Sequence, residues 1–214
     1  MSSVAIQGNA AGAGVFTIAS PNSASSYTAT LPTATTTLVG TDATQTLTNK
    51  TIQGGSITSG TAVATTSGTS IDFTSIPSWV KRITVMLNNV STSGTSNWQV
   101  QIGDSGGVEI TGYSSAVSRM GGAGASNATS TAGWLINISG TAAGTFLGVV
   151  QIALIDSATN TWSCFGTLNS VDTANSGALF NGSKATSATL DRVRVTTANG
   201  TDTFDAGSIN IFYE

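Results

Sequence analysis

Short runs in which apolar and polar residues alternate strictly constrain this chain more than any other feature. Trp98-Gln99-Val100-Gln101-Ile102 is the clearest of them. Successive side chains of a strand point to opposite faces, so this run sets Trp98, Val100 and Ile102 on one face and two amides on the other. The rhythm recurs in Arg82-Ile83-Thr84-Val85-Met86-Leu87, from Leu190 to Thr196, and from Ser208 to Tyr213. Further apolar runs lie at 71–73, 108–113, 134–138, 146–155 and 161–168, each bounded by Gly, Ser, Asn or Asp. About eight or nine short strands at near-regular spacing predict an all-β fold, an antiparallel sandwich of the jelly-roll kind. Helix is disfavoured throughout, because Gly interrupts the chain at 25 positions and β-branched Thr crowds a helical turn. The segment 121–133 reads as a Gly- and Ser-rich loop, and the small, polar stretch 171–189 fits no element.

Charged residues make up 8% of the chain, against about 25% in an ordinary soluble domain. The polar surface must therefore be built from Ser, Thr, Asn and Gly. A hydrophobic share of 39%, including four Trp, argues against disorder over most of the chain, and only 53–68 reads as a linker. Composition shifts near residue 69. Ahead of it there is no Trp, and Asp42 and Lys50 are the only charges. The chain is thus read as a thin extended part, residues 1–68, and a compact head, residues 69–214. In the thin part, Val15-Phe16-Thr17-Ile18 and Thr28-Ala29-Thr30-Leu31 resemble short strands. At about 25 cal/mol per Å2, a few isolated Leu and Val cannot offset an ordering cost of roughly 1 kcal/mol or more per residue. Copies wound about one axis could share a core, which is the physical case for a homo-oligomer.

Several function classes lose support at once. Nucleic-acid binding needs clustered Lys and Arg, whereas this chain has seven, spread out, and a net charge of −3. No segment approaches about 18 uninterrupted apolar residues, so no membrane span is expected. The single Cys164 excludes an internal disulfide framework, and its place in Thr161-Trp162-Ser163-Cys164-Phe165 predicts a buried structural thiol. Gly103-Asp104-Ser105-Gly106-Gly107 matches the surroundings of a protease nucleophile, but the chain has no His to act as base. A hairpin turn between two strands explains it better. Asp202 with Asp205, and Asp104 with Glu109, are the carboxylate pairs to weigh for glycan hydrolysis; Asp202 and Asp205 sit in a turn and read as turn-stabilising residues. Transition metals lack His and Cys ligands, and no loop carries a calcium pattern. Gly8 to Gly14 lacks the lysine and strand-to-helix setting of a phosphate cradle. Neither a catalytic residue, a metal nor a cofactor is expected.

Aromatics are then the candidates for ligand contact, since they present flat apolar area at small entropic cost. Trp98 and Trp162 fall on apolar strand faces and are assigned to the core. Trp79 follows a turn, Trp134 opens a strand after a loop, and Tyr113 closes one before a loop. These three are the predicted ligand-facing residues. Arg192 and Arg194 share the outward side of their strand and are read as solvated.

Gly14-Val15-Phe16-Thr17-Ile18-Ala19-Ser20-Pro21, Tyr27 to Pro32, and the run Gly40 to Ile52 with its Leu47-Thr48-Asn49-Lys50-Thr51 ending resemble a module of bacteriophage tail-fibre and related virion proteins. Ile71-Asp72-Phe73-Thr74-Ser75-Ile76-Pro77-Ser78-Trp79-Val80-Lys81-Arg82-Ile83-Thr84-Val85 is similar to the start of a C-terminal domain found in many such proteins. The resemblance covers residues 12–53 and 69–113. It implies a non-enzymatic homotrimer on the tail or capsid exterior. Residues 1–68 would attach to other virion proteins and form a shaft, and the head would recognise a host-surface glycan or protein, glycan first. The same motifs fit a capsid decoration protein or head fibre anchored through its N-terminal segment.

Overall fold

A computed structural model of the chain describes residues 57–214, apart from 122–123, 139–140, 143 and 172–175, together with Gly12, Ala24 and Ser26. The strands expected at 15–18 and 28–31 and the motif at 40–52 lie outside the described residues. The described strands belong to one compact unit, Ile52–Glu214. It begins before the composition shift at residue 69, because two short strands in the expected linker pair with the C-terminal strand.

The described elements are all strands. In chain order they are β1 (Thr58–Ser59), β2 (Val63–Ala64), β3 (Ser70–Phe73), β4 (Arg82–Thr92), β5 (Trp98–Asp104), β6 (Gly107–Val108) and β7 (Ser114–Gly121). After them come β8 (Gly124–Ser130), β9 (Trp134–Asn137), β10 (Phe146–Asp156), β11 (Thr161–Ser170), β12 (Gly177–Ala185), β13 (Arg192–Thr197) and β14 (Phe204–Tyr213). A nine-stranded sheet runs β1-β14-β4-β10-β11-β12-β7-β8, with β2 also on β14. A five-stranded sheet runs β3-β13-β5-β6, with β9 also on β5. Every pairing is antiparallel.

The alternating runs become the inner faces of this sandwich-like all-β fold. Val100 and Ile102 of β5, Val193 and Val195 of β13, Ile83 and Val85 of β4, and Val150 and Ile152 of β10 have no solvent exposure. Trp98 meets Phe146 edge-on at 5.2 Å and Phe204 at 6.5 Å between ring centroids. Its indole nitrogen donates to Thr92 Oγ1 at 3.1 Å, so the polar end of the largest core group is satisfied. Trp162 and Cys164 are also buried, as the sequence predicts, and burial pushes the Cys164 thiol well above its usual range.

Within the head, three strands depart from the sequence reading. β7 lies where the sequence reading places no strand, β8 lies in the segment read as loop, and β12 occupies about half of the unplaced stretch. β8 offers no buried side chain; it is ordered by its ladder to β7, which pairs in turn with β12. In β12 the inward positions include Lys184 as well as Ala178 and Phe180, so a charge breaks the apolar alternation. Conversely, the run expected at 108–113 stays strand only through Val108. Gly182 is required where it stands: a Cβ there would lie 2.2 Å from the Ser114 carbonyl oxygen and 2.6 Å from the Trp134 ring.

Trp98→Ala should lower the unfolding free energy by about 3–5 kcal/mol, read as a shift of the urea midpoint. A Gly182→Val chain should fail to reach the native near-ultraviolet circular dichroism signal.

Candidate functional site

Of the three predicted ligand-facing aromatics, Trp79 alone is open, at 51% exposure. It stands in the loop between β3 and β4, and its ring tilts against Tyr213 at 5.8 Å. Tyr113 and Trp134 are core residues instead. Their rings meet edge to face at 5.3 Å. The Tyr113 hydroxyl accepts from the Ile102 amide at 2.8 Å, and the Ile102 and Glu109 carbonyl oxygens lie 3.1 and 2.9 Å from it as acceptors. Burial pushes its phenol far above the usual range. The correction has a simple cause. Proximity to a loop suggested exposure, but β12 packs against both rings, with Gly182 at Trp134 and Lys184 near Tyr113, and the Tyr113 hydroxyl is satisfied, as the polar end of a buried aromatic should be.

The protease-like motif is a hairpin turn. Asp104 pairs with Gly107 across it, and Asp104 Oδ1 accepts from the Gly106 amide at 2.7 Å. Asp104 Oδ2 accepts from the Ser187 hydroxyl at 2.6 Å. The hydroxyl and the turn amide hold this carboxyl below its usual range, against the opposing effect of burial. Glu109 accepts from the Ser187 amide at 2.6 Å and pairs with Lys184. Burial alone would raise the Glu109 pKa, but its bonds from Lys184 and Ser187 together outweigh that and hold it low. A glycosidase acid needs the opposite shift. Lys184, 8% exposed, also reaches the Ala185 carbonyl oxygen at 2.6 Å and lies 5.5 Å from the Tyr113 ring centre. Sequence reasoning missed this buried pair, since residues 109 and 184 are joined only by the fold.

Asp202 and Asp205 serve turns and edges. Asp202 accepts from the Ser96 amide at 2.9 Å and from Asn199 Nδ2 at 2.7 Å, and Asp205 accepts from the Ser91 hydroxyl. Among the described residues, no three acidic, His or Cys side chains are grouped to hold a metal ion.

The outer face of the five-stranded sheet carries a more suggestive feature, a groove of about 330 Å3. Its floor holds the outward residues of the founding run, Gln99 and Gln101, beside Thr196 and Arg194 of β13. Gln101 Nε2 donates to the Ala132 carbonyl oxygen at 2.9 Å, and Thr196 Oγ1 to the Thr69 carbonyl oxygen at 2.8 Å. The one charged lining residue, Arg194, is held bidentately by Asp72 at 2.6 and 2.7 Å. The groove is therefore polar but electrically neutral. Gln99 is only 4% exposed, and its side-chain oxygen has neither solvent access nor a hydrogen-bond partner among the described residues. Leaving such a group unsatisfied costs about 1–3 kcal/mol. Ile110, 62% exposed, gives the lining its open apolar contact. The sequence signal for this floor was the polar parity of the run, which marks the outward face without saying that a groove lies there.

No protein-family model, no curated protein and no solved structure matches this chain.

Both depressed carboxyls should tie stability to acid. Their folded pKa values lie below the unfolded ones, so the unfolded chain takes up protons first as pH falls. The stability they contribute is present above about pH 4.5 and is lost as pH drops through the folded values. Glu109→Gln strands the buried Lys184 charge and should cost about 3 kcal/mol at neutral pH. That difference should narrow as pH falls through the folded Glu109 value, where the wild-type carboxyl is itself protonated, in urea unfolding at stepped pH.

Proposed function

We propose that this chain is a non-enzymatic structural protein of a bacteriophage virion, a homotrimeric fibre whose β head recognises a neutral glycan on the host surface. The virion assignment is supported by the threonine-rich module at 40–52 and the stretch 71–85. The ligand class is supported by the neutral groove and its unsatisfied Gln99 oxygen. A sugar offers many hydroxyl donors and acceptors and no charge, which matches a floor of amides and hydroxyls whose one cation is already paired. The terminal amide torsion is soft, so Gln99 can turn its oxygen towards a ligand hydroxyl at small cost. Ile110 supplies apolar contact for the less polar face of the ring. A single shallow site of this kind is weak, and three on one particle gain through effective concentration.

Purified full-length protein applied to a glycan array and to candidate host cells should bind neutral oligosaccharides. Gln99→Ala should weaken each site about 3–10-fold, the value of one hydrogen bond, and the loss should be larger on whole cells. Host binding that is unchanged in Gln99→Ala and in Ile110→Asp would remove the groove from the reading. Electron microscopy of antibody-labelled particles separates a tail fibre from the second virion reading, a capsid decoration protein or head fibre. Label over the capsid favours the latter.

A further inference from the structure

The outer face of the nine-stranded sheet is unlike that of its partner. Leu147 and Val149 of β10, Phe165 of β11, Leu179 of β12 and Met120 of β7 stand there between 39% and 55% exposed. The ladder places them in adjacent rows. Val149 lies beside Thr167, which lies beside Leu179. Leu147 leads through Asn169 and Gly177 to Met120. Phe165 sits between Gln151 and Asn181. Followed from β14 to β8, these rows contain no charged residue. The nearest charges in register form the Arg82–Glu214 ion pair, one row beyond Gln151 at the end of the face. An antiparallel sheet with one face on the core normally turns a polar face to water; here large apolar side chains alternate with small uncharged polar ones, and exposed apolar groups gathered on one face mark interaction sites.

We propose that this face is the surface on which copies of this chain pack against one another, which deepens the homotrimer reading by assigning it a location. Size is the first ground. Seven strands at about 4.8 Å spacing and the five residues spanned by the three rows at about 3.3 Å give a face of roughly 550 Å2 per copy, the size of a modest interface. Charge is the second. The chain carries a net charge of −3, so two copies repel through most approaches, and a face without charge is the one on which that repulsion is least. It also offers a differently charged partner nothing to select. Its anatomy, an apolar centre with an ion pair at one end, is that of an interface. The third ground is proximity. An N-terminal part that gains a core only from its own copies would hold the heads at high effective concentration, where a modest interface suffices.

The test uses the full chain, with mass followed by light scattering across a concentration series. The wild type should be heavier than a monomer. Phe165→Glu combined with Leu179→Glu should weaken head-to-head association by about 100-fold or more. Both positions are exposed, so the variant should keep its circular dichroism spectrum. A second readout remains informative even if the N-terminal part alone keeps the chains together. Leu179→Cys should cross-link between chains with a short bis-maleimide, and Ser70→Cys on the opposite sheet should not. A wild type that stays monomeric overturns both the surface and the oligomer. An oligomer in which the charged variant and Leu179→Cys behave like Ser70→Cys overturns the surface alone, and this face then belongs to a different virion protein. Mass and cross-linking are read without any receptor, so neither result depends on glycan binding.

Discussion

Trp98 lies between the two sheets, edge-on to Phe146 and Phe204 and bonded through its indole nitrogen to Thr92. It begins β5, to which β13 pairs on one side and β6 and β9 on the other. Its partners come from β4, β10 and β14 of the larger sheet, so one side chain ties together the strands that define the sandwich. The register that buries Trp98 also fixes the parity of β5. Gln99 and Gln101 must then point outward, and the floor of the groove follows from the packing of the core.

A second anchor lies one strand length away. Tyr113 bonds through its hydroxyl to the backbone of Ile102, packs its ring on Trp134, and has Lys184 near its other side. Gly182 makes room for Trp134. Here β9, β12 and the 109–113 loop are held by a mixture of aromatic contact, hydrogen bond and buried ion pair. Buried pairs rarely exceed apolar packing in stability, but this one fixes where two segments distant in the chain meet.

The two outer faces divide the remaining work. The smaller sheet presents amides, hydroxyls and a neutralised guanidinium around a groove. The larger presents Leu, Val, Phe and Met with no charge among them. Both contrasts arise from the same scarcity of charge. A chain with 8% charged residues cannot solubilise every face with Lys and Glu, so the faces differ instead in whether Leu, Val, Phe and Met stand among the uncharged polar residues of the outward parity.

The sequence by itself determined the all-β class and most of the inner face, because period-two alternation is a local property that survives without knowledge of partners. Val100, Ile102, Val193 and Val195 could be assigned inward from it, as could Trp98 and Trp162. It also marked the 103–107 motif as a turn, since Gly and Asp favour turns through their own backbone and side-chain chemistry. It could not place β8, whose order comes from its ladder to β7 rather than from its own side chains, nor β7 and β12, where buried Ser115 and Lys184 break the apolar alternation. Nor could it show that Tyr113 and Trp134 turn inward, which depends on β12 packing against them through Gly182 and Lys184. The Glu109–Lys184 pair, the neutral groove and the uncharged outer face join residues far apart in the chain. Only tertiary structure decides such features, because burial, pairing and the shape of a surface are set by which strands come to lie side by side.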